Sequence, residues 1–475
     1  MGTQTIAEAF AAWLSQLSYE SLPERVADKA KACLLHNLVT GLVGAATPLG
    51  RATSEFTSTE EARQDGASIL GSGNKVTRAG AAFANSVLIN ITNQCDSYRM
   101  LTHPGPCIIP AVLATAELEA STGAELLTGL AGGYEVQSRL AHDWIPTTQA
   151  RGFRSAPIYG GVGAAAGSAH LRGLGFDGIL GSIGLAATSA AGTSECARVG
   201  TNEHQFHEPI ASRNAVLAST FSPLLGEISR SSLDGEAGFM AAFAGGRGAA
   251  ATHHFVKDDP AELGRIVTGL GDDYYMLNVT FKPYPTPGFN NPVIELVKRM
   301  RTQHEIQPSA VDAVVVELNH LETTYPSPEF PRRELQQHRV GTTPYVVAQT
   351  LVNGEYSRHG QWFEHGLGKG QPGEREASPE VVRLMGAVRS ESSDLRAHFS
   401  PRIRILLDTG EELVDEMSGD EFKWDFETTA SRALELADQA GVASDMADAL
   451  VDSIRHLDQA PSVRGLVDAA TRGAW

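Results

Sequence analysis

One acid and one histidine stand close together between two helix-like stretches: Asp96, then Thr102-His103-Pro104-Gly105, within residues 84–117. An imidazole titrates near neutrality and can give or take a proton, and a nearby carboxylate can orient it. A residue before proline is pushed out of helical backbone angles, so His103 is expected to be extended, in a loop that Gly105 loosens further. Pro110 suits the first position of a helix over residues 111–120, which would form the rigid base of that loop. These residues alone allow two readings, a proton-transfer group and a hydrogen-bonded turn histidine.

Four further clusters carry chemical groups. Arg154 closes Arg151-Gly152-Phe153-Arg154 just before a run of small residues. Near a helix N-terminus it could grip a carboxylate bidentately, or it could simply be solvated. His204-Gln205-Phe206-His207-Glu208, with Arg213 beyond, sets two histidines at helical spacing and raises the question of a metal. The sequence places no third ligand nearby, so the expectation is no metal, with proton transfer or carboxylate binding at His204 and His207. Dense prolines in Phe281-Lys282-Pro283-Tyr284-Pro285-Thr286-Pro287-Gly288 preclude a helix and predict Lys282 displayed from a stiff segment at a domain junction, where pockets are common. Tyr325, in Thr323-Thr324-Tyr325-Pro326, is either an acid or oxyanion donor or a packing residue.

The elements that must position these groups change character along the chain. Over residues 6–251 apolar residues recur at three and four, as in Ala7, Phe10, Ala11, Leu14 and Leu17, which reads as helix. Gly160-Gly161-Val162-Gly163-Ala164-Ala165-Ala166-Gly167 lacks the spacing of a phosphate loop and has no hydrophobic strand before it; small residues there suit close helix packing. After Gly269-Leu270-Gly271 the texture shifts. Residues 311–318 are β-branched and predict a strand, residues 402–417 a hairpin turning at Asp408-Thr409-Gly410, and the stretch from Pro344 to Asn353-Gly354 a helix. Residues 366–378 look like an exposed loop. The pattern is helical again from Phe426. A mainly α fold follows: a large all-helical domain over 1–271 completed by 418–475, and a smaller α+β lid over 272–417.

At 475 residues the chain exceeds a single ordinary core, and its 38 basic and 56 acidic residues give a net charge of −18. Such a surface repels nucleic acid and anionic membranes, so neither is expected as a partner. Cys33, Cys95, Cys107 and Cys196 form no C-x-x-C pair and read as reduced, buried thiols of a cytoplasmic protein. No secretory signal stands at the N-terminus, and the most apolar run, residues 179–192, is too short and too polar to span a bilayer.

Taken together, these segments resemble the 2-methylcitrate dehydratase and cis-aconitate decarboxylase family, often called MmgE/PrpD. The resemblance runs in order through Leu17-Ser18-Tyr19-Glu20-Ser21-Leu22-Pro23, Ala84-Asn85, Asp96, Thr102-His103-Pro104-Gly105, Ile109-Pro110-Ala111, Gly133-Tyr134-Glu135-Val136, Gly152-Phe153, Gly269-Leu270-Gly271 and Phe281-Lys282-Pro283-Tyr284-Pro285. It implies a helical domain built from both chain ends, an α+β lid, a homodimer, and an active site between the domains without metal or organic cofactor. Members act on small polycarboxylates by eliminating water, losing CO₂ or epimerising a carbon beside a carboxylate. The resemblance places Asp96, His103, Lys282 and Tyr325 at positions the family uses in its site.

The departures redirect the expectation. The family's acidic stretch, H-x-x-D-x-D-D-T, reads here Asn90-Ile91-Thr92-Asn93-Gln94-Cys95-Asp96-Ser97, with one acid retained. Arg154 stands where the family commonly has histidine. His204 replaces the lysine of a K-x-x-H segment in which His207 is kept. The sequence therefore predicts a cofactor-independent lyase with altered substrate or reaction, its alternatives being an isomerase or epimerase and a non-catalytic homologue. His103, Asp96, Tyr325 and His204 are the expected catalytic residues, with Asp96 orienting the loop. Arg154, Lys282, His207 and Thr102 are expected to bind a small anionic substrate.

Overall fold

A computed structural model describes residues 4–199, 201–245, 262–324, 342–356 and 378–471. The fold is mainly α, with a smaller α+β unit. The chain divides into two compact units: residues 1–194, 203–279 and 424–475 form the first, and residues 195–202 and 280–423 the second. No single described helix is long and apolar enough to cross a membrane.

In the first unit, helices α1 (Glu24–Ala45), α2 (Arg78–Ile91), α3 (Pro104–Leu118), α4 (Gly123–Ala141), α5 (Ser155–Leu171) and α6 (His204–Phe221) supply the core and the candidate site. The small residues of α4 and α5 serve packing, as their composition predicts. A Cβ on Gly163 would lie 2.5 Å from the Gly133 carbonyl oxygen, and one on Gly167 would lie 2.4 Å from that of Gly129. The two backbones touch, and larger side chains would force them apart. The chain from Phe426 returns to α1, where the buried Lys29 donates to the Trp424 carbonyl and Asp28 accepts from the Phe426 N–H.

A second device holds the unit together. Glu135 and Arg139, one helical turn apart on α4, are both buried and form an ion pair. Arg139 also donates to the carbonyls of Ile266, Thr268, Gly269 and Asp273, while Glu135 accepts from the N–H groups of Tyr275 and Met276. An irregular segment is thus stapled to a helix through its own backbone groups, which would otherwise be buried without partners.

The second unit contains the expected strand, β1 (Val311–Asn319), and the expected hairpin, β3 (Arg402–Leu407) with β4 (Glu412–Glu416). The sheet order is β2-β1-β3-β4, with β2 (Val388–Ser393) parallel to β1 and the other pairs antiparallel. β2 escapes a sequence reading because Ser390, Ser392 and Ser393 dilute its apolar pattern. A parallel pair needs a crossover, and this one carries α7 (Thr343–Asn353) and α8 (Pro379–Ala387). Gly354, in the left-handed region at φ 80°, ends α7 where the Asn-Gly signal predicts. The expected exposed loop falls almost wholly outside the described residues.

Candidate functional site

His103 is extended, at φ −122° and ψ 92°, as its place before proline requires. The helix, however, starts at Pro104, with Pro110 in its interior, and not at Pro110 as the sequence suggested. Proline at the first helical position lacks an N–H that would go unused there, so Pro104 is the better start. The His103 side chain does not cap this helix. Asp96 does: its Oδ1 accepts from the Gly105 N–H at 2.7 Å, satisfying one of the donors a helix start leaves open.

Gly105 is needed for close approach and not for loop freedom. A Cβ there would lie 2.2 Å from Asn37 Oδ1, so the α1 side chain closes directly over the first turn of α3. Asp96 is fully buried, and its Oδ2 accepts from the Tyr134 hydroxyl of α4 at 2.6 Å. Burial pushes the Asp96 carboxyl above its usual range, against the pull of Tyr134, Gly105, Asn37 and Lys29. Burial and the adjacent carboxylate push the Tyr134 phenol well up, so it remains a donor. Asp96 is therefore fastened between two helices.

The rest of the loop is tightly wound. Asn93 and Arg99 both take left-handed angles, φ 55° and 47°, which cost non-glycine residues energy that surrounding contacts must offset. His36 Nε2 lies 2.6 Å from the Gln94 carbonyl. The Tyr98 N–H donates to the Thr102 carbonyl and the Thr102 hydroxyl to that of Tyr98, so the buried Thr102 closes the loop where substrate contact was expected. Arg99 and Tyr98 both reach His142, just past the end of α4. A guanidinium only donates, so His142 Nε2 accepts and the ring is neutral; burial first, then Arg99, Arg265 and Arg139, push its pKa down to about 3.

His103 itself is half-buried, with Nδ1 3.0 Å from the Asp96 carbonyl oxygen and 3.1 Å from Ser97 Oγ. A carbonyl only accepts, so Nδ1 carries the proton and the lone pair lies on Nε2. A neutral ring held in this way has a fixed tautomer, and the same carbonyl would steady the imidazolium if Nε2 were protonated.

A second group of polar residues borders this loop. Cys107, one turn along α3 from His103, is buried, and its thiol is pushed well up by burial and then by Glu208, Cys95 and Asp96, with Arg154 pulling down. Arg154, at the N-cap of α5, pairs with Glu208 on α6, which is fully buried. Asn90 of α2 donates to Gln205 Oε1 at 3.2 Å and to Glu208 Oε2 at 3.4 Å. His204 and His207 lie on the first turn of α6; the Gln205 amide contacts His204 Nε2 at 3.0 Å. Burial lowers the His207 pKa, and its buried Nδ1 has no hydrogen-bond partner among the described residues.

The first unit thus brings together Asp96, Thr102, His103, Arg154, His204 and His207. Lys282 belongs to the second unit, in irregular chain as the prolines demand, but its side chain is buried and not displayed. Tyr325 lies outside the described residues. Among the described residues, no group of three or more His, Cys, Asp and Glu side chains is arranged to hold a metal ion. Sequence reasoning missed Tyr134, Asn90 and the role of Glu208 as the Arg154 counter-ion. A tyrosine placed within a Gly-, Ala- and Leu-rich helix was the available signal for the first.

Comparison with known proteins agrees with this architecture. The family model for the MmgE/PrpD N-terminal domain matches residues 8–252. A cis-aconitate decarboxylase of Aspergillus terreus is 24% identical over 309 residues, covering 62% of this chain and 59% of the relative. A cis-aconitate decarboxylase-like protein of Aspergillus oryzae is 25% identical, covering 62% and 61%, and the human cis-aconitate decarboxylase 26% identical, covering 51% of each chain. The chain thus spans less than two thirds of these relatives' length.

Proposed function

Because the chain belongs to the MmgE/PrpD family, we propose that it is a lyase acting on a small carboxylate-bearing substrate through proton transfer at the carbon beside the carboxylate. The observation that carries this reading is the His103 ring, its Nδ1–H directed at the Asp96 carbonyl and its lone pair on Nε2. In dehydration, Nε2 takes the α-proton, the electron pair moves to form the double bond, and hydroxide leaves with a proton from an acid. In decarboxylation, the bond to the carboxyl carbon breaks, CO₂ leaves, and the electron pair left on carbon takes a proton. Lys282 as a carboxylate ligand and Tyr325 as proton donor remain part of the proposal on residue type and family resemblance.

Two further elements belong to the same reading. Four buried cysteines outside any disulfide support a reducing, cytoplasmic setting. Exposed Phe206, Leu217, Phe221 and Leu224, on α6 and the turn after it, support a homodimer, which light scattering would read as twice the chain mass.

The test is a panel of succinamate, 3-hydroxybutyrate, succinate, citrate and cis-aconitate, incubated with the protein and followed by NMR. The expected outcome is loss of water or CO₂ from at least one compound by the wild type and none by His103→Ala. Equal turnover by His103→Ala would defeat the assignment, and an isomer as the sole product would replace the lyase with an isomerase.

A further inference from the structure

The wall around Cys107, one turn along α3 from His103, has an unusual charge balance. Its guanidinium, Arg154, is matched by Glu208, whose carboxylate is 0% exposed against 13% for the Arg154 side chain. Asp96 adds a second acid. Around these stand neutral polar groups: the Asn90 amide bridging Gln205 and Glu208, and the His207 imidazole, whose Nδ1 has no partner among the described residues. In this group Arg154 and Glu208 cancel, so the wall offers no net positive charge to an incoming anion.

That arrangement conflicts with a substrate carrying several carboxylates. Each carboxylate taken from water into a partly buried site requires a compensating cation or several strong donors, or it loses more in desolvation than it gains. A second carboxylate placed here would also face Glu208 at short range and low dielectric, where like charges oppose each other strongly. An amide or hydroxyl in the same place meets no such opposition and can use the amides and the His207 nitrogen.

Resting on the reading of His103 as the proton-transfer group, one carboxylate is required by the chemistry, to acidify or leave from the reacting carbon. We propose that the part of the substrate facing this wall is an uncharged polar group, an amide or a hydroxyl, and that the substrate carries a single carboxylate where a polycarboxylate carries two or three. Glu208 is then the residue that sets specificity, by cancelling the charge of Arg154.

Succinamate and succinate test this directly, since they differ by an amide in place of a carboxylate at nearly the same shape. Dissociation constants for both, and for cis-aconitate, are measured by saturation-transfer NMR or thermal shift with wild type, Glu208→Gln and the double variant Arg154→Gln/Glu208→Gln. Wild type is expected to bind succinamate at least about tenfold more tightly than succinate or cis-aconitate. Glu208→Gln, which leaves Arg154 uncompensated, is expected to reverse that order. The double variant restores charge balance and is expected to retain a preference for succinamate; if Glu208→Gln does not fold, the double variant and wild type carry the test. Equal or tighter binding of succinate or cis-aconitate by wild type overturns the proposal, as does an unchanged order in folded Glu208→Gln or the absence of binding by all three. Binding is read in a His103→Ala background as well. A preserved order there with unchanged proton exchange would remove the role of His103 while leaving the specificity assignment standing.

Discussion

Two arginine–glutamate pairs with buried carboxylates lie in the first unit, and they are built in opposite ways. Arg139 and Glu135 are both fully buried and spend nearly all their remaining hydrogen bonds on backbone: four carbonyls on one side, two N–H groups on the other. Glu208 instead accepts from side chains, Arg154 and Asn90. A pair bonded to backbone cannot change partners without displacing chain, whereas a pair bonded to side chains can exchange one of them for a ligand. The first is a staple, and the second belongs to a binding surface.

The largest expected effect comes from breaking the staple. Arg139→Met leaves Glu135 buried without its cation and four carbonyls without their donor, and should cost on the order of 3–5 kcal/mol in a urea titration. A loss below about 1 kcal/mol would remove the distinction between the pairs. Next in size is a pH effect at His142, which lies between the staple and the His103 loop. Its pKa is about 3 in the folded protein, below its ordinary value of 6.5, so in that window the unfolded chain binds a proton that the folded one refuses. Stability should therefore fall as pH drops from about 6.5 toward 3, by up to a few kcal/mol, and His142→Gln should flatten that dependence. Parallel pH profiles of urea midpoint for the two proteins would contradict the assignment.

Smaller changes sharpen the comparison. Tyr134→Phe removes the hydroxyl from buried Asp96 and should cost about 1–3 kcal/mol, with a lowered turnover number because the loop bearing His103 loses an anchor. Retention of both stability and turnover would show that Asp96 does not depend on α4. The double variant Arg154→Gln/Glu208→Gln neutralises both partners together and should cost about 1 kcal/mol or less, because no uncompensated charge stays buried. A loss as large as that of Arg139→Met would make Arg154–Glu208 a second staple.

What the sequence revealed followed from local physics. His103 before Pro104, the Asn353-Gly354 stop and the Asp408-Thr409-Gly410 hairpin are decided by backbone sterics within a few residues, and the structure agrees with each. The start of α3 was misplaced because two prolines competed for the first helical position, and the group that settles it, the Asp96 carboxylate accepting from the Gly105 N–H, lies outside the helix. Partners distant in sequence were not legible: Tyr134 is 38 residues from Asp96, and Glu208 is 54 from Arg154. Arg154 therefore read as an available cation, although the fold supplies its counter-ion.

In the function proposed, His103 Nε2 moves a proton at the carbon beside a carboxylate. Deuterium uptake from D₂O into the panel compound that binds most tightly, followed by NMR, tests it most directly. Exchange at that carbon is expected with wild type, and a loss of at least about 100-fold with His103→Gln. Exchange at the wild-type rate in the folded variant would contradict it.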